Sequence, residues 1–395
     1  MRIALFTETY LPHINGVVTH VKSLKEGLEE LGHQVLVVTS DANAKEHYIK
    51  DNVLYCPGFV AKKFYEYSMS LPYSHERLKI LKEFNPDIIH IHNEFTIGLF
   101  GIFASKILKV PLVYTLHTMY DDYLYYVFPK LLLKPAKHAA HLYFKSFANS
   151  SKAITGPSQK VSNFLKDIGV EKDITVIPNS AEIDIFNPEN ISEEEKDNLK
   201  SEYNIPKDRM VVCFCGRLGK EKSVDVLLEF WKETVSENDK MHLLIIGAGP
   251  SQDELMELSK NLGIDNMVTF TGKILHNEIP PYYAMSDVYI TASLSEMHSV
   301  SMLEAMASGL PVLSRLDPVN ADQIQEGVNG FIYVTAKEMH EQLLKIRDMS
   351  TEEKIHLKKT VRHTVEKSGS ADLARDLLNV YQQIVSQDNK EVKIP

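Results

Sequence analysis

Two tandem α/β domains of the Rossmann type, each a doubly wound parallel sheet, are what this sequence predicts. Three observations carry that expectation. Short apolar runs alternate with helix-period segments along the chain, the pattern of strands and crossover helices in a parallel sheet. Those runs are apolar on both faces, as strands covered by helices on either side must be. A polar stretch divides them into two series, and 395 residues suit two domains of roughly 150–200 residues better than one.

The first series opens with Ile3–Phe6. A helix follows, with Val17, Val18, Val21, Leu24, Leu28 and Leu31 on one stripe and Gly32 as its terminator. Val35–Thr39, Ile88–His92, Leu112–Thr115, Ala153–Thr155 and Thr175–Ile177 continue the strands. Asn187–Asp208 breaks the pattern with the acidic run Glu193–Glu195 and two prolines, and reads as interdomain sequence. The second series is Val211–Cys215, Leu243–Ile246, Val268–Thr271, Val288–Thr291, Val312–Ser314 and Phe331–Val334. The expected domains are therefore 1–186 and 187–370, with a final helix over about 371–387 able to pack back on the first. Ligands of open α/β sheets sit outside the carboxyl ends of the strands. The chemistry belongs in those loops, and two such domains facing each other would form a cleft.

Composition excludes several classes. A net charge of −10 lacks the basic footprint of a nucleic-acid binder. No apolar run reaches the roughly 18 residues that span a bilayer. The N-terminus reaches Glu8 too soon for a signal peptide, which places the chain in the cytosol. Cys56, Cys213 and Cys215 build neither a disulfide framework nor a zinc pattern, and Cys213 and Cys215 share one strand face as packing groups. His90 and His92 also share a face, but no third ligand is apparent in sequence, so packing is the expectation there too. Gly247-Ala-Gly249 starts like a dinucleotide fingerprint, yet lacks the third glycine and follows the wrong strand, which excludes NAD.

The strongest motif runs Glu296-Met-His-Ser-Val-Ser-Met-Leu-Glu304, from a strand end into a helix. A helix N-terminus offers free N–H groups and a positive dipole end, which suits a diphosphate. Glu296 sits where its carboxylate can accept from sugar hydroxyls, and Glu304 where it can hold a ribose; an ordinary capping carboxylate would produce the same pattern. Arg217 and Lys222 follow the first strand of the second domain. Two fixed cations there neutralise a diphosphate and stabilise a departing nucleotide, unless they are a solvated surface pair. Gly16 opens the first long helix, where a missing side chain admits a phosphate or merely starts the helix. His117 ends a strand, where a lone histidine is more often structural than functional.

Together these residues resemble the retaining glycosyltransferases of family 4, with the GT-B fold. The resemblance rests on the Glu-x7-Glu spacing with Ala305-Met-Ala-Ser-Gly-Leu-Pro-Val312, and on Pro12-His-Ile-Asn-Gly16, Thr115-Leu-His117, Gly216-Arg217 with Lys222, Leu244–Pro250 and Gly327-Val-Asn-Gly330. The family usually has two glycines where this chain has only Gly16. The resemblance implies a nucleotide-sugar donor held by Gly16, Arg217, Lys222, Lys273, Ile274, Glu296, Met297, His298, Ser299, Val300 and Glu304. Backbone near Lys273 and Ile274 would read the base. His117, Arg217, Lys222 and Glu296 would carry catalysis. Retention would proceed by front-face substitution through an oxocarbenium-like state, the leaving phosphate taking the acceptor proton. No Asp-x-Asp pair occurs, so no metal and no other cofactor is expected.

Between Tyr123 and Lys166 there is no acidic residue, while Lys130, Lys134, Lys137 and Lys145 lie inside. Pro135 can start a helix, on which Lys134, Lys137, His141 and Lys145 fall at helical spacing near Leu142, Phe144 and Phe147. Basic and apolar groups together suit an anionic membrane surface, although a solvated face over a normal core looks similar. His92-Asn-Glu-Phe-Thr-Ile-Gly98 and His117-Thr-Met-Tyr-Asp-Asp-Tyr123 resemble the bacterial 1,2-diacylglycerol 3-glucosyltransferases. That resemblance implies glucose transfer from UDP-glucose to diacylglycerol at the inner face of the cell membrane. Another acceptor, such as a polysaccharide precursor or phosphatidylinositol, is the alternative, and a UDP-sugar epimerase a further one.

Overall fold

The computed structural model describes residues 1–13, 15–61, 67–118, 129–317 and 323–391. The chain forms two compact units, Met1–Ser180 with Ser370–Pro395, and Ala181–Gly369.

The first unit is built on β1 Arg2–Phe6, β2 Gln34–Asp41, β3 Tyr48–Lys50, β4 Val53–Ala61, β5 Tyr67–Ser70, β6 Ile88–Ile91, β7 Leu112–Thr115, β8 Ala153–Gly156 and β9 Ile174–Val176. Their order is β3-β4-β2-β1-β6-β7-β8-β9, with β5 also on β4. Pairing is parallel from β4 through β9, while β3 and β5 run antiparallel to β4. The antiparallel edge is not expected from the apolar runs. β3 is exposed at every residue, so it carries no burial signal. Its turn is the readable feature: Asp51 and Asn52 both have positive φ, as a two-residue hairpin requires.

The helix Gly16–Glu30 buries Val18, Val21, Leu24 and Leu28 as its stripe predicts, but Leu31 is the C-cap and lies exposed. Its partner is the C-terminal helix Ser370–Glu391. Leu373, Leu377, Val380, Tyr381 and Ile384 join Val21, Leu24 and Leu28 in one core. Gly27 permits this approach, because a Cβ there would lie 2.2 Å from the Ser370 carbonyl oxygen.

The second unit holds β10 Met210–Cys215, β11 Met241–Ile246, β12 Val268–Gly272, β13 Val288–Thr291, β14 Val312–Arg315 and β15 Gly330–Tyr333. The order is β12-β11-β10-β13-β14-β15, with every pairing parallel. β10 shows the two-faced burial plainly. Val212 and Phe214 join the core around Trp231, while Val211, Cys213 and Cys215 join the other around Tyr283 and Tyr289.

The junction differs from the expected one. Ala181 and Phe186 already bury in the second unit's core, so the change of unit falls after Ser180 and not after Phe186. Asn187–Asp208 is not a linker either. Glu193–Glu202 is a helix opened by a Ser192/Glu195 capping box, so the acidic run sits where the helix dipole favours it.

Candidate active site

In the second unit the site grows from the end of β10. Gly216-Arg217-Leu218 crosses directly over the glycine pair after β11. Gly247 has φ +125, and a Cβ there would lie 2.2 Å from the Gly216 carbonyl oxygen; at Gly249 it would lie 2.4 Å from that of Leu218. The Leu218 N–H donates to the Ala248 carbonyl at 3.0 Å. The glycines thus seat the loop that carries Arg217, which explains the motif without a dinucleotide.

Both cations hold carboxylates. Arg217 Nη2 donates to Glu221 Oε1 at 3.3 Å, and Lys222 Nζ to Glu296 Oε1 at 2.5 Å. Lys222 and Glu296 keep side-chain exposures of 22% and 14%, so the pair is shielded yet reachable by a ligand. The Glu221 carbonyl accepts from the hydroxyls of Ser293 and Ser295, lacing the loop after β13 to the Lys222 turn. Glu221 was not singled out by sequence; its spacing of four from Arg217 is the signal that could have found it.

Glu304 lies on the helix Val300–Ala307 and is nearly buried. His276 Nε2 contacts its Oε1 at 2.7 Å, and His276 Nδ1 lies 3.4 Å from Glu182 Oε2. Burial pushes the Glu304 carboxyl above its ordinary range, opposed by the His276 hydrogen bond. Sequence gave no warning of His276 or Glu182, which converge only through the fold.

The loop before this helix needs a correction. Ser299 was expected to offer its amide to the donor, but that N–H donates to Gln323 Oε1 at 2.6 Å. Gln323 Nε2 returns a bond to the Ser299 carbonyl, and the Ser299 hydroxyl caps Met302 N–H. Asn329 supports Gln323 through its carbonyl, giving Gly327–Gly330 an architectural purpose. Met297 is buried and His298 half-buried, and Val300 opens the helix. Lys273 is exposed, while Ile274 packs against the core.

In the first unit Gly16 is exposed at the start of its helix, with open space where a Cβ would stand. Asn15 caps that helix through the Val18 N–H. His117, partly exposed after β7, meets His92 with Nε2 to Nδ1 at 3.0 Å, and its ring lies 4.5 Å from that of His20. Sequence offered His90 and His92 no third partner; the fold supplies His20 and His117 to His92. Burial depresses all four imidazoles, His20 to about 4, so they are neutral near pH 7. Thr115 was a motif residue, and its hydroxyl contacts His90 Nε2 at 2.7 Å.

The segment His92–Gly98 turns out to brace the sheet. Asn93 Oδ1 accepts from the Thr7 hydroxyl and the Glu8 N–H, and Glu94 accepts from the Tyr114 hydroxyl at 2.7 Å. Glu8, buried, accepts from the Ile97 N–H and the Thr96 hydroxyl, and burial pushes its carboxyl up to about 7.

The helix Leu133–Ser150 begins two residues before Pro135. Its outward stripe also differs from the expected one. Phe144 and Phe147 are core residues, Lys137 and Lys145 are half-buried, and the open side is Leu131, Lys134, His138 and Leu142, with Lys130 beside it. Met119–Tyr123, which contributed to the diacylglycerol resemblance, lie outside the described residues.

Two α/β units on largely parallel sheets, with cations and carboxylates paired at the strand ends of the second, have counterparts among known proteins. Residues 14–184 match Glycosyltransferase Family 4 and residues 195–364 match Glycosyl transferases group 1. The chain belongs to this family of glycosyltransferases. The alpha-monoglucosyldiacylglycerol synthase of Streptococcus pneumoniae is 32% identical over 84% of this chain and 75% of that protein. The Acholeplasma laidlawii protein of the same name is 29% identical over 99% of each chain. The crystal structure of Anabaena HepE in complex with UDP and glucose superposes with a TM-score of 0.74 at 16% identity, covering 97% of this chain and 100% of that one, which establishes the shared GT-B fold.

Proposed function

We propose that the protein transfers glucose from UDP-glucose to 1,2-diacylglycerol, with retention of configuration and without a metal, while resting on the inner face of the cell membrane. The observation that carries the reading is the Lys222–Glu296 pair at the loop before the Glu304 helix. A diphosphate arriving there would draw Lys222 away from Glu296. That frees the carboxylate for sugar hydroxyls, so one exchange of partners readies both groups. Arg217 would leave Glu221 for the phosphate in the same way, with a bidentate fork available. Both cations then stabilise the negative charge that grows on the leaving nucleotide. Glu304, already held by His276, would turn its carboxylate to the ribose.

His117, neutral, can donate or accept a hydrogen bond to orient the sugar without adding charge. Substitution occurs on the face the nucleotide leaves, and the departing phosphate oxygen takes the acceptor's hydroxyl proton. The lipid acceptor is supported by the synthases named above and by the open stripe of Leu131, Lys134, His138 and Leu142. Apolar side chains at the water surface beside lysines suit an anionic bilayer. Among the described residues, no helix is long and apolar enough to cross a membrane.

The test is a panel of UDP-, GDP- and ADP-hexoses with diacylglycerol in anionic mixed micelles. UDP-glucose should give α-glucosyldiacylglycerol as the main product. A strong preference for a water-soluble acceptor would overturn the reading. Conversion of UDP-sugar without acceptor would instead identify an epimerase.

A further inference from the structure

Four histidines gather at the carboxyl end of the first unit's sheet: His20 from the Gly16–Glu30 helix, His90 and His92 from β6 and its end, and His117 after β7. They do not play equal parts. His90 has both nitrogens engaged, Nδ1 with the Tyr381 hydroxyl at 2.6 Å and Nε2 with Thr115. His20 uses only Nδ1, which donates to Asn179 Oδ1 at 3.0 Å; its Nε2 is buried without a partner. His92 Nε2 is likewise buried without a partner. Unpaired buried polar atoms carry a desolvation cost, and the His20 Nε2, beside the His92 and His117 rings, is the one that calls for a ligand there.

We propose that His20, His92 and His117 form a binding site for one divalent transition-metal ion of the zinc class. One ring nitrogen from each lies within 4.8 Å of the others. The 3.0 Å between His92 Nδ1 and His117 Nε2 is close to the ~3.3 Å edge of a tetrahedron with Zn–N bonds of about 2.0–2.1 Å. Asn179 supplies what such ligands need behind them. A carbonyl oxygen on Nδ1–H fixes the His20 tautomer and leaves the Nε2 lone pair for the metal. Neutral imidazoles already have that lone pair, so no proton need be expelled on binding. His117, the partly exposed member, is the route in. Occupancy would engage the imidazole assigned above to orienting the sugar, so the ion acts as a brake and not as a catalyst. The binding claim stands on these residues alone; only the effect on turnover rests on the proposed transfer reaction.

The experiment uses the full chain, free of any affinity tag and stripped with chelator, in equilibrium dialysis against Zn2+. One ion per chain is expected, together with a rise in Tm for the loaded protein. His20→Gln should weaken binding at least tenfold and lose the Tm rise, and Asn179→Ala should weaken it about tenfold. Co2+ should give the visible absorption of a tetrahedral nitrogen site in the wild-type chain and not in His20→Gln, a readout that survives if a His92 variant fails to fold. Absence of stoichiometric binding to the folded wild-type chain, or binding indifferent to His20→Gln, would overturn the site. Zinc should also cut glucosyl transfer by tenfold or more, reversed by chelator. Tight, His20-dependent binding that leaves turnover unchanged would keep the site and overturn the assigned part of His117.

Discussion

The two units handle charge in opposite ways. In the second, charged groups pair at the site: Lys222 with Glu296 and Arg217 with Glu221. In the first, burial suppresses charge: four imidazoles are held neutral, and the Glu8 carboxyl is raised to about 7. The difference matches the tasks proposed for them. A diphosphate needs cations that are held ready and can be released, and shielded ion pairs store them in position. A neutral lipid hydroxyl and a sugar need hydrogen bonds without a competing charge, which desolvated imidazoles provide.

The comparison breaks most easily at Lys222. Lys222→Ala should lower kcat for glucosyl transfer by roughly 10²–10³-fold, because it removes stabilisation of the leaving group. Circular dichroism should stay near wild type. A variant within a few-fold of wild type would end the assignment of paired cations to the donor.

The face proposed to meet the membrane offers the next largest effect. Leu131→Ser with Leu142→Ser should reduce transfer on anionic vesicles about tenfold, since each exposed leucine contributes a kcal/mol or so of insertion. Tm should be unchanged, because both side chains are exposed. Vesicle co-sedimentation separates this loss from a loss of catalysis, and equal activity on vesicles would remove this stripe from the membrane reading.

The neutral histidines predict the sign of a pH dependence. His20 has a folded pKa of about 4 against an ordinary 6.5, so the unfolded chain takes up protons first as pH falls. Its contribution is whole above pH 6.5 and is lost between there and about 4, on the order of 3 kcal/mol. Denaturant titrations across that window should show the fall, and His20→Gln should reduce its slope by about one proton, the other buried imidazoles keeping the rest. An unchanged slope in the variant would mean that His20 is not the neutral group the fold makes it.

The smallest effect belongs to Gln323. Gln323→Ala removes both bonds to the Ser299 backbone and should cost about 1–2 kcal/mol, read as a lower Tm. The freed Ser299 N–H becomes available to ligand, so the KM for the donor should change by no more than a few-fold. A loss of donor binding comparable to that of Lys222→Ala would mean that Gln323 touches the donor itself.

Periodicity and local chemistry were enough to read most of this molecule. The buried parallel strands announce themselves, because strands covered on both faces must be apolar throughout, as in Met210–Cys215 and Met241–Ile246. The Glu-x7-Glu spacing lies within one loop and the helix it opens, and the Arg217/Lys222 pair within one loop and turn, where order along the chain is order in space. Edge strands such as Tyr48–Lys50 escaped, since an exposed strand leaves no apolar signature. The docking of the C-terminal helix on Gly16–Glu30 depends on Gly27, whose meaning appears only when Ser370 lies against it. His20, Asn179, His276, Glu182 and Gln323 are silent in sequence for the same reason. Each acts on a residue at least 24 positions away, and the sequence does not encode such a meeting in any local pattern. The sequence by itself determined the tandem α/β order and the fully buried parallel strands, but not the half-exposed Val53–Ala61. Tertiary structure alone decided that Glu296 meets Lys222 and which histidines converge, because burial and long-range contact create both effects.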